Sequence, residues 1–109
     1  MPRQISVREL KALLDAGAPP VELVDVRQPW EHEVCALPSS RLVPLDQLAA
    51  RVDEARPSVE GALVVVYCHH GVRSLHAAAL LERVGVPAVS LAGGIDAWSR
   101  LVDPSVPTY

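Results

Sequence analysis

Three short apolar segments, separated by stretches with helical patterns, constrain the fold of this chain most strongly. They are residues 21–26 (Val-Glu-Leu-Val-Asp-Val), 62–67 (Ala-Leu-Val-Val-Val-Tyr) and 88–91 (Ala-Val-Ser-Leu). Runs of this length without regular polar alternation are typical of strands in parallel sheets, which helices cover on both faces. The sequence therefore predicts an α/β domain with a central, mostly parallel sheet of about five strands.

Helical patterns fill the intervals between these strands. Ser6 and Glu9 have the spacing of a capping box at the start of a first helix, and Gly17 marks the end of that helix. Other expected elements are a short helix over 28–33 beginning near Pro29, a brief strand at 42–43, a helix over 45–52, a helix over 75–81 and a last helix through 95–101. The segment 103–109 is expected to be extended.

Length and charge restrict the function. A chain of 109 residues, 50% of them hydrophobic, fits one domain over 1–109 with a real core. A net charge of -3 gives no broad basic surface for nucleic acid. No apolar run approaches the ~20 residues of a membrane span, and the amino terminus lacks a secretory hydrophobic region. We expect a cytoplasmic protein whose partner is a small molecule or a protein, with no nucleic acid and no membrane.

Cys68 lies where the second apolar strand gives way to a helix. The backbone N–H groups of the intervening loop and of the first helical turn have no intrahelical acceptors, and together with the helix dipole they favour a thiolate. Arg73 adds a fixed positive charge that can bind an anion. The alternative is a small buried core residue, which is common for cysteine. The combination of Cys68, Gly71 and Arg73 favours a reactive nucleophile.

The second cysteine shows no pattern that links it to the first. Cys35 and Cys68 share neither a CxxC spacing nor a zinc-ligand spacing, so we expect no metal site and no disulfide framework. Cys35 is expected to be a core residue. Because ligands of open α/β sheets bind at the carboxyl ends of the strands, we expect Asp25, Cys68 and the turn 91–94 to meet there.

Several motifs, in their order and spacing, resemble the rhodanese family. They are Asp25-Val26-Arg27, Glu31, Leu37-Pro38, Val43-Pro44-Leu45, the segment 66–74 (VYCHHGVRS), Gly85 and the segment 91–98 (LAGGIDAW). The resemblance implies a three-layer α/β/α domain and a sulfurtransferase that needs no cofactor. Cys68 would take sulfane sulfur from a donor such as thiosulfate or a persulfide, and would pass it to cyanide in vitro or to a thiol or sulfur-carrier protein in the cell.

The resemblance also suggests which residues surround the sulfur. The substrate-binding loop would consist of His69, His70, Gly71, Val72, Arg73 and Ser74. For the two histidines the alternative is a pair of solvent-facing side chains whose backbone N–H groups matter more than their rings. Asp25 and Arg27 would form a structural ion pair, or would help to position the loop.

Two other classes of protein remain open as alternatives. Cysteine-dependent phosphatases and arsenate reductases have a similar loop, but with five residues between Cys and Arg, whereas four lie between Cys68 and Arg73. A noncatalytic binding or regulatory module on the same fold is the second alternative, because fold alone does not establish activity. Within the family, the segments 34–38 and 103–109 resemble rhodanese domains fused to ubiquitin-activating-like adenylyltransferases, which implies sulfur relay to a carrier protein.

Overall fold

A computed structural model describes residues 3–109, and in it five parallel strands form one sheet in the order β1-β5-β4-β2-β3. The elements are β1 (Gln4–Ile5), α1 (Val7–Ala16), β2 (Val21–Asp25), α2 (Pro29–Val34), β3 (Arg41–Leu42), α3 (Leu45–Leu48), α4 (Val52–Ala55), β4 (Leu63–Tyr67), α5 (Val72–Arg83), β5 (Ala88–Leu91) and α6 (Gly94–Leu101). The predicted α/β class and parallel sheet are confirmed. No helix within residues 3–109 is both long and apolar enough to cross a membrane.

Helices cover the sheet on both faces because the central strands direct apolar side chains to both. In β4, Val64 and Val66 pack into one core cluster with α5, while Val65 and Tyr67 pack into a second cluster with α1 and α6. Ala77 and Ala78 of α5 are fully buried, and their small side chains let this helix approach the sheet closely. The alternation of β4 residues therefore produces the three layers.

The ends of α1 match the prediction. The Ser6 hydroxyl accepts a hydrogen bond from the Glu9 N–H at 3.0 Å, and the Glu9 carboxylate accepts one from the Ser6 N–H at 2.9 Å. Gly17 ends the helix in the left-handed conformation, with φ +72°. The local sequence signals for this helix are confirmed.

Two expectations about local structure are wrong, and one strand was not expected. The unexpected strand is β1, whose second residue, Ile5, pairs with Leu91 of β5. The helix expected over 45–52 is divided into α3 and α4 by a turn in which Arg51 leaves the helical conformation. The segment 103–109 is not extended, because it makes a turn closed by the Val106 N–H on the Asp103 carbonyl at 3.1 Å. This turn carries the end of the segment back onto the α1 and α6 side of the core.

Candidate active site

Cys68 follows β4 directly, and its sulfur is the centre of the loop that leads into α5. The residue is only 1% exposed. Its Sγ accepts hydrogen bonds from the backbone N–H groups of Gly71, at 3.1 Å, and Ser74, at 3.4 Å, and it lies 3.5 Å from the Ser74 hydroxyl. Gly71 has φ +102°, which lets the chain turn from the loop into the helix. Donors aimed at the sulfur favour a negative charge on it.

The first turn of α6 holds the loop so that its N–H groups face the sulfur. The carbonyl oxygens of Cys68 and His69 accept hydrogen bonds from the N–H groups of Ile95, at 2.9 Å, and Asp96, at 3.1 Å. This approach requires a glycine at position 94, where φ is +63° and where a Cβ would come within 2.4 Å of both carbonyl oxygens. The Gly-Gly-Ile-Asp segment therefore shapes the loop around Cys68 from a distance of about 26 residues in the chain.

Arg73 lies at the rim of the loop, and its guanidinium is paired with Glu31. The two guanidinium nitrogens donate to the two carboxylate oxygens of Glu31 at 2.7 and 2.9 Å. The bonds from Arg73 lower the pKa of Glu31 to about 2 in spite of its burial, with further bonds from the Tyr109 hydroxyl and the Gln28 N–H. The sequence predicts that Arg73 binds an anion, but it does not predict this carboxylate partner. Glu31 stands in the family motif, and that position is the one signal for the partner in the sequence.

Asp25 and Arg27 form a buried ion pair behind the site. Both are 0% exposed, and Arg27 donates to the Asp25 carboxylate from Nε at 2.9 Å and from Nη2 at 2.7 Å. Nη2 also donates to the Cys35 carbonyl at 2.6 Å, and His32 Nδ1 lies 2.8 Å from the same carboxylate. The structure therefore shows the ion-pair arrangement, in which a buried guanidinium links β2 to the end of α2. Support of the Cys68 loop by this pair stays a prediction.

The two histidines of the loop differ in their surroundings. The His69 ring lies between the His70 ring and the Tyr109 ring, with centroid separations of 3.9 Å on both sides. Burial lowers the pKa of His69, and the neighbouring His70 lowers it further, which favours a neutral imidazole. The His70 side chain is 64% exposed and lies 3.9 Å from the Asp96 carboxylate. His70 is therefore solvent-facing, as one of the alternatives expected, whereas His69 is packed on both faces.

One cluster near the loop offers three potential metal ligands. Ligand atoms of His69, His70 and Asp96 lie within 4.8 Å of one another. The histidine rings are stacked at an interplanar angle of 29°, and the Asp96 carboxylate already accepts a hydrogen bond from Arg100 at 3.0 Å. This arrangement fits a stacked pair better than a chelating site. The absence of a metal stays a prediction.

Cys35 and Cys68 are both free thiols, but they belong to different parts of the core. Cys35 is 8% exposed and packs in the cluster on the α1 and α6 side, whereas Cys68 packs in the cluster on the α5 side. Cys35 is thus a core residue, as expected, and the structure gives it no contact with the sulfur of Cys68.

Comparisons with known proteins agree with this fold. Residues 6–101 match the family model of the Rhodanese-like domain, and the chain belongs to that family. The chain is 35% identical over 111 residues to the "Adenylyltransferase and sulfurtransferase MOCS3-1" of Zea mays, a match that covers 97% of this chain and 24% of that protein. The chain therefore spans about a quarter of the length of this curated relative. The predicted family is confirmed.

Two solved structures share the fold over nearly the whole chain. A rhodanese-like domain protein from Staphylococcus aureus has a TM-score of 0.80 and 29% identity, with 98% of each chain covered. A thiosulfate sulfurtransferase from Pseudomonas aeruginosa has a TM-score of 0.76 and 28% identity, with 91% of this chain and 19% of that chain covered. These likenesses confirm the predicted arrangement of sheet and helices.

Proposed function

We propose that this protein is a sulfurtransferase that carries sulfane sulfur as a persulfide on Cys68. The observation that carries the proposal is the environment of the Cys68 sulfur, which accepts hydrogen bonds from the N–H groups of Gly71 and Ser74 at the carboxyl end of β4. Membership of the rhodanese-like family supports a function of the sulfurtransferase type. The name of the Zea mays relative and that of the Pseudomonas aeruginosa structure point in the same direction.

The reaction proceeds in two displacements. The Cys68 thiolate attacks the outer sulfur of thiosulfate, the S–S bond breaks, and sulfite leaves with the electron pair of that bond. A persulfide anion remains on the enzyme. An acceptor nucleophile, cyanide in vitro or a thiol in the cell, then attacks the terminal sulfur and releases the Cys68 thiolate; transfer to a sulfur carrier follows the different step described below. No cofactor takes part in this scheme, and a reducing cytoplasm would keep the thiol available.

The loop supplies the groups that hold the anionic species. The N–H groups that contact Sγ would stabilise both the thiolate and the persulfide that replaces it. The side chain of Arg73 would attract the anionic donor, and its pairing with Glu31 reduces the charge that it presents to the solvent. Residues 69–72 would form the wall of the sulfur-binding space. Asp25 and Arg27 would keep the adjoining end of α2 in place.

A sulfur-carrier protein is the acceptor that the sequence comparison favours. The relative from Zea mays is named both an adenylyltransferase and a sulfurtransferase, and it extends well beyond the region that this chain covers. A carrier whose carboxyl terminus is activated as an adenylate would act as an electrophile: the terminal sulfur of the Cys68 persulfide would attack its acyl carbon, and AMP would leave. Two thiols of the reducing cytoplasm would then reduce the S–S bond of the resulting acyl disulfide, which releases the carrier as a thiocarboxylate and restores the Cys68 thiol. If the persulfide-loaded protein sulfurated none of the carriers tested, we would conclude that small thiols, and not a carrier protein, accept the sulfur.

A turnover assay tests the proposed function. Thiocyanate formed from thiosulfate and cyanide would be measured for the wild type, for Cys68→Ser and for the matched control Cys35→Ser. We expect loss of turnover only when Cys68 is replaced, because Cys35 lies in a different core cluster. Turnover that survives in Cys68→Ser would exclude the persulfide route. A wild type that is inactive with both thiosulfate and persulfide donors would favour the noncatalytic module.

A further inference from the structure

Tyr109 is the residue at which the contacts around the loop converge. Its hydroxyl accepts a hydrogen bond from Arg27 Nη1 at 2.8 Å and donates one to Glu31 Oε2 at 2.6 Å. Its ring is stacked on the His69 ring at 3.9 Å and 7°, and it meets the Trp30 ring edge-on at 6.0 Å. The segment 103–109, which was expected to be extended, thus places Tyr109 against the Cys68 loop.

The hydroxyl fixes the orientation of the Tyr109 ring. Arg27 is itself held by the buried Asp25 carboxylate, and Glu31 is held by Arg73, so both partners of the hydroxyl have defined positions. Burial and the Glu31 carboxylate raise the pKa of Tyr109, which keeps the phenol protonated and able to donate. The two hydrogen bonds of the hydroxyl therefore fix the position of the ring that is stacked on His69.

Tyr109 contacts one part of the Cys68 loop directly and another part through Glu31. Its ring covers that of His69, the residue that follows Cys68 in the chain. Its hydroxyl shares the Glu31 carboxylate with Arg73, the residue that precedes Ser74. Ser74 in turn donates its N–H to the Cys68 sulfur. Displacement of Tyr109 would therefore remove a packing contact from His69 and a hydrogen bond from the carboxylate that holds Arg73.

We propose that Tyr109 is a positioning residue for the Cys68 loop. Anchored on Arg27 and Glu31, it holds His69 and Arg73 so that the loop N–H groups stay directed at the sulfur. The consequence for sulfur transfer depends on the proposed function, but the effect on the thiol itself does not. The charged and titratable groups around Tyr109 and the loop all remain in the single variants Tyr109→Leu and Tyr109→Phe; they are Asp25, Arg27, Glu31, His69, His70, Arg73 and Asp96.

The pH profile of Cys68 alkylation measures the alignment of the loop. Cys68 is almost fully buried, so a looser loop could raise its accessibility, but that effect would change the rate of alkylation at every pH. Misaligned N–H donors would instead move the pH midpoint of alkylation upward, because they no longer favour the thiolate. The midpoint therefore separates a positioning role from simple packing. Peptide mass spectrometry after iodoacetamide treatment distinguishes Cys68 from Cys35.

We expect Tyr109→Leu, which removes the ring contact and both hydrogen bonds, to raise the midpoint by about one pH unit, which lowers the thiolate fraction about tenfold at pH values well below the midpoint. Tyr109→Phe keeps the ring and should show a smaller shift in the same direction. His69→Ala should also raise the midpoint. The double variant with Tyr109→Leu should show a shift smaller than the sum of the two single shifts, because both substitutions remove the same ring contact. Val106→Ala, in the same segment but packed in the core, is the matched control and should leave the midpoint unchanged.

Sulfur uptake from thiosulfate, measured on the same variants, separates the two proposals. At a pH well below the wild-type midpoint, we expect the rate of sulfur uptake to be about tenfold lower in Tyr109→Leu than in the Val106→Ala control. A wild-type midpoint in Tyr109→Leu would overturn the role of Tyr109, whatever the sulfur uptake. A shifted midpoint in Tyr109→Leu, together with a wild type that takes up no sulfur from thiosulfate or from a persulfide donor, would support the positioning role and overturn the proposed function.

Discussion

Gly94→Ala is the substitution that probes the shape of the Cys68 loop most directly. Gly94 has φ +63°, and a Cβ at this position would lie 2.4 Å from the carbonyl oxygens of both Cys68 and His69. Those oxygens accept the hydrogen bonds from α6 that orient the loop. Because these oxygens belong to the backbone and not to a flexible side chain, the loop or the start of α6 has to move to make room for the Cβ.

The expected loss of stability has two parts. A left-handed backbone costs a residue with a Cβ about 1–2 kcal/mol, and relieving an overpacked contact costs about 1–3 kcal/mol more. We therefore expect Gly94→Ala to lower the free energy of unfolding by about 3 kcal/mol. Gly85 provides the matched control, because its φ is +81° and nothing lies within 4 Å of a Cβ placed there. Gly85→Ala should show only the first part, about 1 kcal/mol.

Urea unfolding at pH 7 measures both variants, and sulfur uptake from thiosulfate reports on the loop. We expect Gly94→Ala to lose most of its sulfur uptake under conditions in which it is still folded, while Gly85→Ala retains it. Equal destabilisation of the two variants, together with normal uptake in Gly94→Ala, would refute the close packing of α6 on the loop.

Three further predictions concern the charged groups of the site. The pKa of Glu31 is lowered from 4.5 to about 2, so its pairing stabilises the fold above pH 4.5 by on the order of 3 kcal/mol, and this stabilisation is lost as the pH falls toward 2. Glu31→Gln should therefore be destabilised at pH 7, and the difference from the wild type should shrink in acid. Asp25→Asn should cost about 3 kcal/mol or more in urea unfolding, because it leaves a buried guanidinium without a charged partner. Arg73→Ala should reduce kcat/KM for thiosulfate about tenfold, and His70→Ala should have a much smaller effect.

Each of these predictions has a result that would contradict it. Glu33→Gln, on the exposed side of the same helix, is the control for Glu31→Gln. If the free energy of unfolding depended on pH equally in both variants, the pairing of Glu31 would not be the source of the stabilisation. A loss below about 1 kcal/mol in Asp25→Asn would mean that the ion pair contributes little. A larger effect from His70→Ala than from Arg73→Ala would reverse the assignment of the anion-binding group.

The features that the sequence predicts well are those encoded by residues close together in the chain. The bounds of β5, the capping box of α1 and the position of Cys68 between strand and helix all depend on contiguous residues. Hydrophobic periodicity and turn chemistry are local signals, so they can be read without the tertiary structure. The general position of ligand sites at the carboxyl ends of parallel strands extended these predictions to the turn 91–94 beside Cys68.

The features that the sequence did not predict depend on distant side chains. Arg73 and Glu31 are 42 residues apart, and the Tyr109 hydroxyl reaches Glu31 across 78 residues. No periodicity or spacing marks such pairs, because each partner also fits an exposed surface position. Strand β1 was missed for a related reason, since two residues are too short to show a pattern and are defined only by their pairing with β5.

The intact mass of the reduced protein after incubation with thiosulfate shows whether Cys68 carries sulfur. We expect the addition of one sulfur atom, removable by a thiol reductant, in the wild type and in Cys35→Ser but not in Cys68→Ala. Added sulfur that persists in Cys68→Ala, or that is absent from the wild type with both thiosulfate and a persulfide donor, would contradict the claim that Cys68 is the sulfur carrier.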